Sequence, residues 1–323
     1  MSKINFPIDL VYCWCNDADP IWNAKRTKYL QEEGKIVQKL SNDCRFIDND
    51  ELKYSLRSVE KYAPWINHIY IISDHQIPDW INKTNQKITF INHEDILPED
   101  NLPIFNSEAI ETALWNIPNL SEHFLYANDD FFLGNNVYPK DFFNSKGQAI
   151  VRQIKNSKNF DKDESLYARH VRDMQQLAKE TWGKKINYQL HHNIDAYIKS
   201  EFYNCIDYFK ELSSATAKQR FRQNKAFLRS MIGYWMIADG KGKEKNIKKW
   251  KKKLLKIFPF LSDIVKLDSV CCSISSPKGL KRLKKQKPKM FCLNDCENAT
   301  NQNRLELKYF MEELFPEKSK FER

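Results

Sequence analysis

The sequence predicts an α/β fold, a Rossmann-like or nucleotide-sugar-transferase-like mixed sheet interrupted by a largely helical insertion. Three observations predict it. Apolar strand-like runs alternate with amphipathic helices over the first 155 residues. The pattern becomes mainly helical beyond that point. Three strand-like runs end in Asn-Asp: IDLVYCW before Asn16-Asp17, HFLYA before Asn128-Asp129-Asp130, and KMFCL before Asn294-Asp295. Ligands of open α/β sheets gather at the carboxyl ends of strands, where carboxylates suit a divalent cation or a proton transfer. Asn and Asp are also ordinary turn residues, and Asn42-Asp43 and Asn49-Asp50 follow no such run.

Taken in order, residues 8–14 read as a buried strand. Residues 50–62 read as a helix with Leu52, Leu56 and Val59 on one face, closed by Pro64. HIYIIS (68–73) and KITFIN (87–92) are the next strands. Asn106 or Ser107 caps a helix through about residue 116, with Glu108 and Glu111 in its positive first turn. HFLYA (123–127) is the fourth strand. Residues 163–181, 195–212 and 216–239 read as helices. KMFCLND returns to strand character, and 301–314 forms a helix with Leu307, Phe310, Met311 and Leu314 on one side. The expected organisation is an α/β catalytic core (1–155), a helical insertion (156–288), and a last strand and helix (289–323) that rejoin the N-terminal sheet.

Composition narrows the class. With 323 residues, 41% of them hydrophobic, and a mean hydropathy of −0.66, the chain reads as globular. No apolar run approaches a membrane span, and the first residues lack the parts of a signal peptide. The eight cysteines form no Cys-x-x-Cys pair, so reduced thiols and a cytoplasmic location are expected. There is no Walker A loop, Gly-x-Ser-x-Gly elbow or dinucleotide fingerprint. Of the +10 net charge, +14 lies in residues 241–290, which hold 17 Lys and Arg against three acids. There Ile247, Trp250, Leu254 and Phe258 share a helical face amid lysines. Three readings fit: an interfacial helix on an anionic inner membrane, a core helix with a solvated basic face, or a nucleic-acid contact. Nucleic acid is the least expected, since no binding motif accompanies the charge.

Several segments together resemble the Stealth family of sugar-phosphate transferases, which includes bacterial capsular polysaccharide phosphotransferases and the catalytic subunit of GlcNAc-1-phosphotransferase. The first signature block resembles IDLVYCWCNDADPIW. The second resembles DNDELKYSLRSVEKYAPWINHIYIISDHQIPDWI and continues through FNSEAIETALWNIPNLSEHFLYANDDFFLG. The third is similar to HHNIDAYIKSEF with RFRQNKAF, and the fourth to FCLNDCENATNQNRLELKYFMEELFP. Two departures stand out. The helix after Ser-x-Ala-Ile-Glu carries Trp115 and Asn116 where the family has a His and an Arg, and Cys15-Asn16-Asp17-Ala18-Asp19 lacks the Gly of the first block.

The resemblance implies transfer of a hexose 1-phosphate from a UDP-sugar to a glycan hydroxyl, with release of UMP. It implies Mg²⁺ or Mn²⁺ on Asp129, Asp130 and Asp295, with Asp130 essential to the chemistry. His192, rather than the adjacent His191, is the expected general base or phosphate contact, and Glu108 a second base. Arg222 contacts phosphate, as a guanidinium clamp would. Asn16, Asp17, Arg57, Asn128 and Asn294 surround the substrate. A metal-dependent glycosyltransferase releasing UDP would use similar carboxylates, and a non-enzymatic basic binding protein would not need them.

Overall fold

The computed structural model describes residues 4–40, 43–247, 254, 257–258 and 267–323. Strand β1 (Ile8–Cys13) is buried in all but its last residue. Helix α1 (Pro20–Glu32) starts where Asp19 accepts the amides of Ile21 and Trp22 and Pro20 takes the first turn. A short α2 (Lys35–Leu40) follows. Helix α3 (Glu51–Tyr62) buries Leu52, Leu56 and Val59, the predicted stripe. Strands β2 (Ile69–Ser73) and β3 (Ile88–Asn92) lie within the predicted runs. Asn106 caps α4 (Ser107–Glu111) through the Glu108 amide. The helix was expected to reach residue 116, but Thr112 turns its hydroxyl back to the Ala109 carbonyl and the chain tightens into a 3-10 turn at Leu114–Asn116. Strand β4 (His123–Asn128) follows.

These four strands are parallel in the order β3-β2-β1-β4, with Cys13 beside Asn128 at the carboxyl edge. A parallel sheet must be covered on both faces, which accounts for its unbroken apolar strands. Two further strands, β5 (Phe131–Leu133) and β6 (Ala149–Lys155), complete the N-terminal part.

The insertion mixes strands with its helices. It contains α5 (Leu166–Trp182), β7 (Tyr188–Leu190), β8 (Asp195–Ile198), α6 (Lys199–Tyr208), α7 (Lys210–Ala217), α8 (Ser230–Ala238), β9 (Gly242–Asn246) and β10 (Ser269–Ser273). Residues 195–198, expected to be helical, form β8 and close the free edge of β4 antiparallel, making a five-stranded sheet. That edge offers unpaired amides and carbonyls, and pairing it outweighs local helix preference. Past Ala217, the end of α7, the 216–239 region is helical only from Ser230. Residues 219–229 run irregularly and carry Arg222 and Arg229 to the site described below.

After α9 (Pro277–Gln286), strand β11 (Met290–Asn294) returns to the N-terminal part, but not to its main sheet. With β4 flanked by β1 and β8, β11 pairs instead with β5 and β10 in a three-stranded sheet. Helix α10 (Asn301–Leu314) ends the fold, burying Leu307, Phe310 and Met311 as predicted. Much of the basic stripe, including Trp250 and Lys248, Lys249, Lys251 and Lys252, lies outside the described residues. Among the described residues no helix is long and apolar enough to cross a membrane.

Candidate active site

A cleft of about 780 Å³ opens where β1, β4 and β11 end. Trp14 and Cys15 enter it after β1, Asn128, Asp129 and Asp130 after β4, and Asn294 and Asp295 after β11. The third Asn-Asp thus joins the second although 165 residues separate Asp130 from Asp295. Glu108, His192 and Arg222 line the same cleft.

One wall is acidic, and its carboxylates form no ion pair among the described residues. The Asp130 amide donates to Asp129 Oδ1 at 3.0 Å. Glu51, at the start of α3, is fixed by the amide and side chain of Asn49 at 2.5 and 2.7 Å. Asp48 sits close by. Burial, then the charge of Asp130, holds the Asp129 carboxyl well above the usual range. Burial and Asp129 push Glu51 to about 8. Burial raises Asp130 to about 7 against the hydrogen bond from Cys292, and burial with Asp50 raises Asp48 to about 6. None of the four forms an ion pair among the described residues. Oδ1 of Asp130 and Oδ1 of Asn128 are buried without a hydrogen-bond partner. Desolvated, mutually repelling carboxylates with an orphaned oxygen suit a hard divalent cation.

The rest of the lining pairs its acids with guanidiniums. Glu108 lies 3.4 Å from His170 Nδ1 and 3.9 Å from Arg222 Nε. Burial works to raise its pKa, but the His170 hydrogen bond and the Arg222 charge outweigh it, leaving the carboxyl below the usual range. Such a carboxylate is a poor base and a good holder of Arg222, whose Nη2 also donates to Ser107 Oγ at 2.9 Å. Arg45, exposed to solvent, enters nearby, its pKa pulled to about 10 by partial desolvation of its guanidinium against the cleft and by Arg222. Two neighbouring guanidiniums make a seat for phosphate. Deeper in, Arg229 bonds Asp195 and lies 3.4 Å from Glu111, whose Oε1 accepts from Tyr126 at 3.0 Å. Asp295 is gripped by Arg304 at 2.9 and 3.2 Å and by the Cys296 amide at 2.6 Å, so its charge is already matched.

The two histidines differ in setting. His191 is buried, and its Nδ1 meets Asn193 Nδ2 and Ser269 Oγ at 3.1 Å each. His192 stands edge-on to Phe131, with ring centroids 4.8 Å apart, and near Tyr167. No hydrogen bond among the described residues occupies its nitrogens. Burial, then Arg229, His191 and Arg222, push its pKa down to about 3, so its ring is neutral around pH 7. An aromatic rim of Trp22, Phe46 and Phe105 closes one end of the cleft, the Trp22 ring lying 5.5 Å from Phe46 and 5.4 Å from Phe105.

Three predicted residues do not line this cleft. Asn16 supports a turn, its Oδ1 accepting the Ala18 amide, while its backbone bonds the Gln76 side chain. The Asp17 backbone joins Phe46 and Asn23. Arg57 is buried in α3 and clasps the C-terminal segment through Glu322 and the Phe315 carbonyl. Glu51, Arg45, Glu111, Asp195 and Arg229 were not foreseen. Glu111 carried a signal, since it closes Ser-x-Ala-Ile-Glu, but the others had none that distinguishes them from surface charges.

Residues 45–151 match the family description "Stealth protein CR2, conserved region 2". The chain is 31% identical over 308 residues to the capsular polysaccharide phosphotransferase fcs1 of Haemophilus influenzae, with 91% of this chain and 80% of that one covered. It is 32% identical over 283 residues to the exopolysaccharide phosphotransferase cps2G of Lactiplantibacillus plantarum, covering 76% and 82%. Among solved structures, the galactosyltransferase LgtC with donor and acceptor sugar analogs overlaps 97% of this chain at 11% identity. It covers 96% of its own length, with a TM-score of 0.45, too loose a fit to carry an argument. An α/β fold with this cleft and these relatives defines the chain as a phosphotransferase enzyme. It belongs to the Stealth family.

Proposed function

We propose that this enzyme transfers a hexose 1-phosphate from a UDP-sugar to a hydroxyl of a capsule or surface glycan. The observation that carries the reading is the meeting of Asp129, Asp130, His192 and Arg222 in one cleft, whose lining holds both an acidic cluster and a guanidinium pair. The acceptor oxygen bonds to the sugar-bearing phosphorus while the bridge to the other phosphorus breaks. A phosphodiester forms and UMP leaves. The hydroxyl proton passes to His192.

Asp129 and Asp130 would hold Mg²⁺ or Mn²⁺, with Glu51 and Asp48 adding negative charge beside them. The ion would neutralise the diphosphate and the charge gathering on the leaving phosphate. Arg222 and Arg45 would take the phosphate oxygens, and Glu108 with Ser107 keeps Arg222 oriented. His192 starts as a neutral ring able to accept a proton. A bound diphosphate raises its basicity by placing negative charge beside it. The aromatic rim suits the uridine, and Asn128 and Asn294 offer amide groups to the sugar. Asp295 is assigned to the wall through Arg304 rather than to the ion.

The test is incubation with a panel of UDP-sugars, Mg²⁺ and acceptor glycans, with the released nucleotide identified. UMP and a phosphodiester product are expected. UDP as the product overturns the reading in favour of glycosyl transfer. His192→Ala should lower turnover by roughly 10²–10⁴-fold with donor binding retained. His191→Ala should act mainly on stability.

A further inference from the structure

We propose that Asp130, His192 and Cys292 form a second kind of metal site at the cleft floor, one that selects a thiophilic divalent cation of the Zn²⁺ class. One donor atom from each residue lies within 4.8 Å of the other two. Three separate elements supply them. Asp130 precedes β5, His192 follows β7, and Cys292 lies in β11 opposite Phe131 of β5. The β5–β11 pairing fixes this approach, because the Leu293 amide donates to the Asp130 carbonyl at 3.1 Å and turns Cys292 toward the Asp130 carboxylate. Cys292 Sγ lies 3.3 Å from Asp130 Oδ2.

Two independent features point to a ligand there. Oδ1 of Asp130 is buried with no hydrogen-bond partner, although the residue sits among polar groups. The His192 ring is held by Phe131 and Tyr167 through its faces and edges only, leaving its nitrogens for another atom. The bland account of Cys292 is a small buried apolar residue. It explains the burial, but not why the sulfur sits against a carboxylate and near an imidazole.

The donor set decides the cation. Mg²⁺ takes oxygen ligands, whereas a thiolate with an imidazole and one carboxylate favours Zn²⁺. Zn²⁺ bonded at about 2.0–2.3 Å in a tetrahedron separates its ligand atoms by about 3.3–3.6 Å. The three side chains therefore need close by only about 1 Å. Binding such an ion would release the Cys292 thiol proton to solvent. It would also occupy Asp130 and the proposed base together. This consequence rests on the function proposed above, while the binding itself does not. Zn²⁺ should therefore inhibit an enzyme that Mg²⁺ supports.

Titration of the metal-free protein with Co²⁺, a coloured stand-in for Zn²⁺, tests the site. A thiolate-to-cobalt charge-transfer absorption with strong tetrahedral visible bands should appear at one equivalent and bleach on adding Zn²⁺. Cys292→Ser should remove the charge-transfer band, and His192→Ala should weaken Co²⁺ binding at least tenfold. Cys271→Ser should leave the band, although Cys271 is the strand partner of Cys292 and lines the cleft. Absence of the band in the unmodified protein overturns the site whether or not the variants fold. A band that survives Cys292→Ser and disappears in Cys271→Ser overturns the assignment. Turnover with excess Mg²⁺ should fall at least tenfold in micromolar Zn²⁺ and return when a Zn²⁺-selective chelator is added. A normal Co²⁺ spectrum without inhibition would keep the site and remove His192 and Asp130 from the chemistry. Inhibition without the spectrum would place the inhibitory ion elsewhere and overturn this site.

Discussion

The two walls of the cleft hold similar numbers of carboxylates in opposite electrostatic states. On one side Glu108 faces Arg222, Glu111 and Asp195 share Arg229, and Asp295 is held by Arg304. On the other, Asp48, Glu51, Asp129 and Asp130 lie near one another with no ion pair among the described residues. A protein gains nothing in stability from burying like charges. The compensated wall is therefore finished in the free enzyme, while the acidic wall is completed only by something that binds. That difference separates residues that hold the site together from residues that, under the proposed function, would receive a metal and its diphosphate.

The largest effect should come from breaking the unfinished wall. Asp130→Asn retains shape and removes one negative charge. Turnover should fall on the order of 100-fold or more, about 2.7 kcal/mol of barrier. Because the change also relieves repulsion, the melting temperature of the metal-free protein should hold or rise. A variant that keeps full turnover, or unmodified enzyme fully active in chelator, removes the metal role from this wall.

The finished wall should respond in the opposite sense. Arg229→Met leaves Glu111 and Asp195 buried without their cation, and losing one partner of a buried pair costs about 3–5 kcal/mol. Denaturant unfolding measures this. Adding Glu111→Gln to Arg229→Met should recover part of the loss, since one stranded charge is then gone. Equal stability of the single and double variants would mean that Arg229 acts by packing on Tyr126, whose ring centroid lies 5.0 Å from it.

Legibility in the sequence followed the same division. The buried strands announced themselves by apolar runs, and α3 and α10 by their spacing, because burial on one side imposes a period. The Asn-Asp endings gave away Asp129, Asp130 and Asp295, since they sit where strands stop. Topology was harder to read. Whether residues 195–198 pair as a strand depends on a free edge of β4, and the destination of β11 depends on which edges are already taken. Neither fact is local. Charges presented a similar difficulty. Arg57 looked like a nucleotide contact and instead ties down Glu322, 265 residues away. Arg229 looked like any basic residue and proved to be a buried hub. A charge shows its partner only after folding, so sequence spacing could not tell a clasp from a catalyst.

A smaller and more discriminating effect is expected in the pH dependence of stability. A carboxyl whose folded pKa lies above its unfolded value, near about 4, binds more protons when folded. Raising the pH through the folded value then favours unfolding. The loss begins near the unfolded value and ends at the folded one, so Glu51 at about 8 and the strongly raised Asp129 carry it through the window from about pH 7 to pH 8.5, while Asp130 at about 7 has given most of its share by then. Two other sets of groups act near this range. The depressed histidines His93 and His192 act with the opposite sign, but their contribution is complete once the unfolded imidazoles have titrated near about 6.5. The buried thiols add a loss of the same sign toward about pH 8.5, where unfolded cysteines ionise, so the comparison with Glu51→Gln and with Mg²⁺, rather than the bare slope, isolates the wall. Metal-free protein should therefore melt at a falling temperature across this window. Glu51→Gln should flatten the slope, and saturating Mg²⁺ should do the same by stabilising the ionised wall. Differential scanning fluorimetry at fixed ionic strength provides the measurement. A melting temperature that rises from pH 7 to 8.5, or a slope indifferent to both Glu51→Gln and Mg²⁺, would show that the acidic wall finds its countercharge within the folded chain and needs no ion.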